Sequence, residues 1–262
     1  MVKSISQINV SKDVSIEPPM KMRSGAGHLC KLVCPELQLP RMSIPWNTMV
    51  KTGLNNGPPN CKLALKFNSF KDSLDGPHGL LADVLDALDD MAIEYIVKNK
   101  QALFGNKPKS EAVIRETFTR SIKEDLNQKY TPTFSAKVEF DRRQEHKRAR
   151  LDNPDDLSHS HAMRIGCFTR EGQPLVAEDV LTKDSEIQAV VAPRHIWVTA
   201  SGMGITYNAS RCVVLKTGGT QTNFDFDLDG IEPEQDGDGV SVQPEADPED
   251  AQDDEAHVVL AD

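Results

Sequence analysis

Ile187 to Thr217 reads IQAVVAPRHIWVTASGMGITYNASRCVVLKT. Ile187–Val191 and His195–Thr199 are rich in β-branched residues and are separated by Ala192-Pro193, so two strands are expected. Ser201-Gly202-Met203-Gly204 turns the chain. Gly204–Leu215 follows as one long strand. Side chains alternate along a strand, which places Ile205, Tyr207, Ala209, Arg211 and Val213 on one face. Thr206, Asn208, Ser210, Cys212 and Val214 share the other. Neither face is purely apolar. Tyr207 and Arg211, with Trp197, Arg194 and His195 just upstream, interleave aromatic and cationic groups. That combination can stack a base and hold a phosphate. The alternative is a structural hairpin that half-buries Trp197 and Tyr207.

Working outward, the residues before this stretch fall into three kinds. Residues 1–24 are polar with isolated apolar positions and read as a flexible N-terminal arm. HLCKLVC (28–34) and ELQLPRMSIPWNTMV (36–50) read as strands, the second interrupted at Pro40 and Pro45 and therefore at an edge or bent. GLNNGPPN (53–60) is a turn by composition. CKLALKFNSF (61–70) alternates cleanly and turns Lys62 and Lys66 outward. Pro77–Phe104 has a helix-period stripe of Leu81, Val84, Leu85, Leu88, Met91, Ala92, Tyr95 and Ile96, with Asp83, Asp86, Asp89 and Asp90 mostly on the opposite, solvated face. Ser110 caps an expected second helix, Glu111–Gln128, with Arg115, Arg120 and Lys123 off its apolar stripe. TFSAKVEF (133–140) is again a strand. Residues 141–162 form a basic loop carrying Arg142 and Arg143, expected to join neighbouring strands as a long hairpin.

The net charge of −10 hides an internal division. Fifteen of the forty acidic residues, and none of the thirty Lys and Arg, lie from Asp225 onward. Residues 1–224 therefore carry +5 and the remainder −15. A basic body with an acidic tail suits a polyanion site shielded by the protein's own chain. Residues 220–262 have no hydrophobic period and read as a disordered acidic tail.

Five scattered cysteines, no apolar leader and no run long enough to span a membrane point to a reducing, intracellular setting. His28, Cys30 and Cys34 fall on one strand face. Without a second pair at zinc spacing they read as buried thiols. Asp225, Asp227 and Asp229 imitate the start of a calcium loop, but Glu232, Pro233 and the lack of flanking helices oppose it. No phosphate-binding loop, GxSxG, HExxH or Cys–His constellation occurs, so neither a catalytic site nor a cofactor or metal is expected.

The order of elements, three strands, two helices, then further strands, is that of an enlarged OB barrel. The expectation is a mainly β fold with a helical insertion (77–130): an OB-like five- or six-stranded barrel with two helices between strands three and four, spanning residues 25–219. With the segment IWVTASGMGITYNASRCVVL (196–215), the helical insertion and the acidic tail, the chain resembles the single-stranded-DNA-binding proteins of large DNA viruses. More distantly it is similar to those of small tailed phages. The resemblance implies a single-stranded DNA partner, action in replication, recombination or repair, a viral replication site in the host cytoplasm or nucleus, and a tail that competes for the groove or recruits replication proteins. The end, Leu260-Ala261-Asp262, lacks the terminal aromatic of the phage proteins. Phosphates are expected on Lys62, Lys66, Lys137, Arg142, Arg143, Arg194 and Arg211, and bases on Trp46, Trp197, Tyr207 and Phe67. The rival reading is a non-enzymatic virion or scaffold interaction protein that ignores oligonucleotides. A metal-dependent nuclease is a weaker third.

Overall fold

The computed structural model describes residues 2–22, 25, 27–51, 60–125, 127–142 and 161–218. All lie within one unit, Met1–Gln221. The fold is mainly β with a few helices. Its main strands are β1 (Gly27–Val33), β2 (Glu36–Ser43), β3 (Asn60–Lys66), β4 (Thr133–Val138), β5 (Glu186–Thr199) and β6 (Met203–Lys216). Helices α1 (Gly76–Lys98) and α2 (Glu111–Thr117) fall between β3 and β4, with a short helix Lys100–Phe104 between them.

β5 and β6 pair as an antiparallel hairpin, and β5 is one continuous strand rather than two. Its other edge is shared. Residues up to Val191 pair with β2, and residues from His195 pair with β1. Pro193 falls in the gap between these partners, where its missing N–H costs no bond on that edge. Pro40 is accommodated in the same way. Gln188 pairs with Arg41 and Val190 with Gln38, so Leu39 and Pro40 together face the single residue Ala189.

From β6 the pairing continues to β4 in parallel and from β4 to β3 antiparallel. The expected closed barrel is not formed as a continuous ladder. At the seam between β3 and β2 a single residue pair, Ser43 with Lys66, joins the two strands. The apolar stripe of α1 packs into the core through Leu81, Leu85, Leu88, Ala92, Ile93 and Ile96, all fully buried.

Two other expectations are corrected. Residues 2–22 are laid against the sheet rather than forming a free arm. Val2–Ser4 pairs with β2, while Ser15–Ile16 and Met20–Lys21 pair with β1. The isolated apolar residues of this polar stretch are its anchors: Ile5 and Val14 are buried in the core. The second helix stops at Thr117 instead of Gln128. Thr117 Oγ1 donates back to the Val113 carbonyl at 2.7 Å, a bond that loosens a helix end. Phe118–Thr119 then pairs with β6, and Ile122–Lys123 pairs with β4. The β-branched and aromatic residues of this segment take the extended form their side chains favour.

At the base of the basic loop, Phe140–Arg142 pairs antiparallel with His161–Met163. The rest of that loop lies outside the described residues, as do the tail and its calcium-like run. Among the described residues no helix is long and apolar enough to cross a membrane.

Gly27 opens β1 opposite Thr199. A Cβ there would stand 2.1 Å from the Val198 carbonyl oxygen. Gly27→Ala is therefore expected to destabilise the chain by about 1–3 kcal/mol, the cost of overpacking a tight site. A urea-unfolding midpoint equal to that of the wild type would contradict this close approach.

Candidate nucleic-acid interface

Strands bury alternate residues, and one extra residue reverses the alternation. In β5 the residues Ile187, Ala189 and Val191 point into the core. Pro193 pairs with Tyr207 and His195 with Thr206, so Arg194 is the extra residue of a bulge. Beyond it Ile196 and Val198 are the buried pair, and Trp197 faces outward, partly exposed. In β6 a second bulge does the same. Val191 pairs with Ala209 and Val190 with Arg211, leaving Ser210 extra. Tyr207 and Ala209 are buried before it, Cys212 and Val214 after it, and Arg211 turns to solvent. Tyr207 and Arg211 therefore do not share a face, contrary to a simple alternation.

Trp197 lines one of two adjoining clefts. The first, of about 310 Å³, is lined by Trp197, Lys62, Lys137, Arg120, Lys123 and the edge of Tyr207, among others. The second, of about 210 Å³, contains Trp46, Lys51, Lys62 and Lys123. Asn60, Lys62, Lys123 and Ser135 line both, so the two form one groove with a tryptophan toward each end. Among the described residues no Asp or Glu lines either cleft. Lys62 and Lys137 are direct cross-strand partners. Like charges so placed repel, and an anion between them would relieve it. Among the described residues no ion pair involves Lys51, Lys62, Lys123 or Lys137. Arg120 is held by Asp90 at 2.7 Å.

The platform under Trp197 is glycine. Trp197 pairs with Gly204 across the hairpin. A Cβ on Gly204 would lie 3.1 Å from the indole, and one on Gly202 3.5 Å. Bare backbone thus lets the ring lie close to the turn while the cleft opens beside it. Trp46 is 49% exposed.

The loop bearing Arg120 and Lys123 is pinned from below. Asp89 of α1, expected on a solvated face, is fully buried. It accepts hydrogen bonds at 2.7 Å from both Ser121 N–H and Ser121 Oγ. Ser121 Oγ is also 2.8 Å from the Tyr207 hydroxyl. Tyr207 itself packs edge-on against Phe134 at 4.9 Å. Burial pushes the Asp89 carboxyl up to about 6, against the opposing effect of the Ser121 bonds and Arg120.

The sequence-derived candidates therefore divide. Trp46, Lys62, Lys137 and Trp197 line the groove, with Tyr207 contributing an edge from the core. Phe67 is fully buried, against the outer pleat position that stacking a base would need. Lys66 is exposed on β3, Arg194 at its bulge and Arg211 at 3.8 Å from Glu36, and none of the three lines the groove. Arg142 belongs to a described strand, but its side chain and Arg143 lie outside the described residues. Arg120 and Lys123 were hidden as residues of an expected helix. The signal that could have found them is Thr117-Phe118-Thr119, a poor sequence for a helix interior. Cys30 is buried and Cys34 partly so, and burial pushes both thiols up to about 11, away from the thiolate form a metal would bind.

No protein-family model and no curated protein matches the chain. Among solved structures it is similar to gp2.5, a single-stranded DNA binding protein encoded by bacteriophage T7 (TM-score 0.47, 10% identity, 76% of this chain and 98% of that one). It is also similar to the single-stranded DNA-binding protein from bacteriophage Enc34 in complex with single-stranded DNA (TM-score 0.37, 16% identity, 78% and 97%).

A carboxyl that protonates near 6 when folded, against 3.8 ordinarily, stabilises the fold fully below about 4 and loses that stability as pH rises through 6. The difference amounts to about 3 kcal/mol. Asn at position 89 can accept from Ser121 N–H and donate to Ser121 Oγ without a charge. Asp89→Asn is expected to remove this fall between pH 4 and 7, which thermal melts of the two chains across that range will measure. Parallel pH profiles would contradict it.

Proposed function

We propose that the chain is a non-enzymatic single-stranded DNA-binding protein of DNA replication, recombination or repair, with an OB-like sheet presenting the strand. One observation carries this reading. The joined clefts combine Trp46 and Trp197 with Lys51, Lys62, Arg120, Lys123 and Lys137, and with no carboxylate among the described residues. Cations at intervals follow a phosphate backbone, and an aromatic face accepts any unpaired base. Bases within a duplex are stacked on one another and offer no such face.

The charge division extends the proposal to the tail. Residues 225–262 hold fifteen acidic groups and no Lys or Arg. A segment of that charge competes with DNA for a cationic groove, or presents itself to replication proteins once DNA has displaced it. Basic residues 142 and 143, at the start of the loop between Phe140–Arg142 and His161–Met163, are proposed as further phosphate contacts.

Fluorescence anisotropy with labelled oligo-dT over a range of salt tests the reading. Trp197→Ala is expected to weaken binding by about 1–3 kcal/mol. Lys62→Ala and Lys137→Ala are each expected to reduce the slope of log affinity against log salt by about 0.7. Removing residues 225–262 is expected to tighten binding most at low salt, where charge is least screened. A tail-deleted chain that binds no oligo-dT at low salt would overturn the proposal.

A further inference from the structure

The groove does not end at Trp46. Asn47, which lines the second cleft, also lines a third and more open one of about 620 Å³, together with Thr182, Lys183, Asp184, Lys216, Thr217 and Gly218. The connection between them is built rather than incidental. The segment bearing Trp46 is stitched to the segment bearing Lys183 by four hydrogen bonds. Ile44 N–H donates to the Ser185 carbonyl at 2.9 Å, and Asp184 N–H to the Ile44 carbonyl at 2.8 Å. Thr48 N–H donates to the Leu181 carbonyl at 2.9 Å. Lys183 N–H donates to Asn47 Oδ1 at 2.7 Å. The far wall is fixed as well. Gly218 N–H donates to Ser185 Oγ at 2.6 Å, and Thr182 Oγ1 donates to the Gly218 carbonyl at 2.9 Å.

Two exposed lysines, Lys183 and Lys216, face one acid, Asp184, around this cleft. Neither lysine is in an ion pair among the described residues. The third cleft also lies at the opposite end of the β5–β6 hairpin from Trp197, since Trp197 pairs with Gly204 and Glu186 with Lys216. At about 3.3 Å per residue the intervening run of β6 is at most about 40 Å long. Sites on such folds cover roughly 4–16 nucleotides, and the length of the track decides where in that range a site falls.

We propose that a single strand lying across Trp197 and Trp46 continues past Asn47 into the third cleft, where Lys183 and Lys216 hold its next phosphodiesters. The proposal rests on the single-stranded DNA reading of the main groove and adds a phosphate subsite that engages only longer strands. Asn47 is its hinge point: its side chain is fixed by Lys183 N–H, so the strand meets a rigid corner rather than a loose loop.

Length separates this subsite from general electrostatics. The full chain and a Lys183→Ala/Lys216→Ala double variant are titrated with oligo-dT of about 6 and about 16 nucleotides, within the range such sites cover. The double variant is expected to bind the longer strand on the order of 10-fold more weakly at low salt, with a salt slope smaller by about 1.4 for two lost contacts. Its affinity for the shorter strand is expected to equal that of the wild type. If the variant loses neither strand, or both equally, the subsite is overturned while the main groove stands. If the wild type binds neither strand, the subsite and the groove reading fall together.

Discussion

One extra residue at Arg194 sets which side of β5 looks into the core. Before it, odd-numbered residues from Ile187 to Val191 are buried; after it, Ile196 and Val198 are. Were the strand regular, Trp197 would fall in line with Val191 and point inward. The bulge turns it out onto the groove, and it does so where β5 exchanges β2 for β1 as its neighbour. Pro193 suits that position because the strand has no partner on that edge to lose. The bend, the change of partner and the outward tryptophan share one cause.

A second constraint acts from beneath. Asp89 is buried on a helix that otherwise presents leucine, isoleucine and alanine to the core. Burying a carboxylate is costly unless it is satisfied. Here its two Ser121 bonds fix the short segment that leaves β6 at Thr119 and joins β4 at Ile122. Arg120 and Lys123 flank Ser121, so the buried acid determines where two cations of the groove stand. Tyr207 completes the arrangement from the core side through its hydroxyl. An aromatic residue with a polar tip can serve the core and the groove floor together.

The parts of this architecture that were legible in sequence are those where period and burial agree. β4 alternates cleanly and β3 does so apart from the buried Ala64, and their outward residues Lys62 and Lys137 do line the groove. The stripe from Leu81 to Ile96 is helical and buried as its spacing says. Legibility fails where a local irregularity resets the phase. No periodic pattern reveals that Arg194 or Ser210 is the extra residue, so the faces of Tyr207 and Arg211 could not be told from counting. It fails again where tertiary bonds override a helical reading. Thr117 to Lys123 has charges at helical spacing, yet Asp89 and the edges of β4 and β6 draw the backbone into extended form. The N-terminal residues failed for a third reason: two buried side chains, Ile5 and Val14, anchor a polar stretch too sparsely to leave a periodic signal.

The lysine pair across β3 and β4 shows how the groove and the fold are in tension. Lys62 and Lys137 sit directly opposite each other, a placement that costs a sheet some stability. Folding alone would favour a carboxylate at one of the two positions, and elsewhere the surface does take such partners, as with Lys3 and Asp13 or Lys31 and Glu17. Along the groove no lysine has such a partner among the described residues, and Arg120 is paired with Asp90. Four lysines without an ion pair among the described residues, Lys51, Lys62, Lys123 and Lys137, are thus gathered along one strip. A distribution of that kind is costly for the isolated chain and is relieved by a linear polyanion.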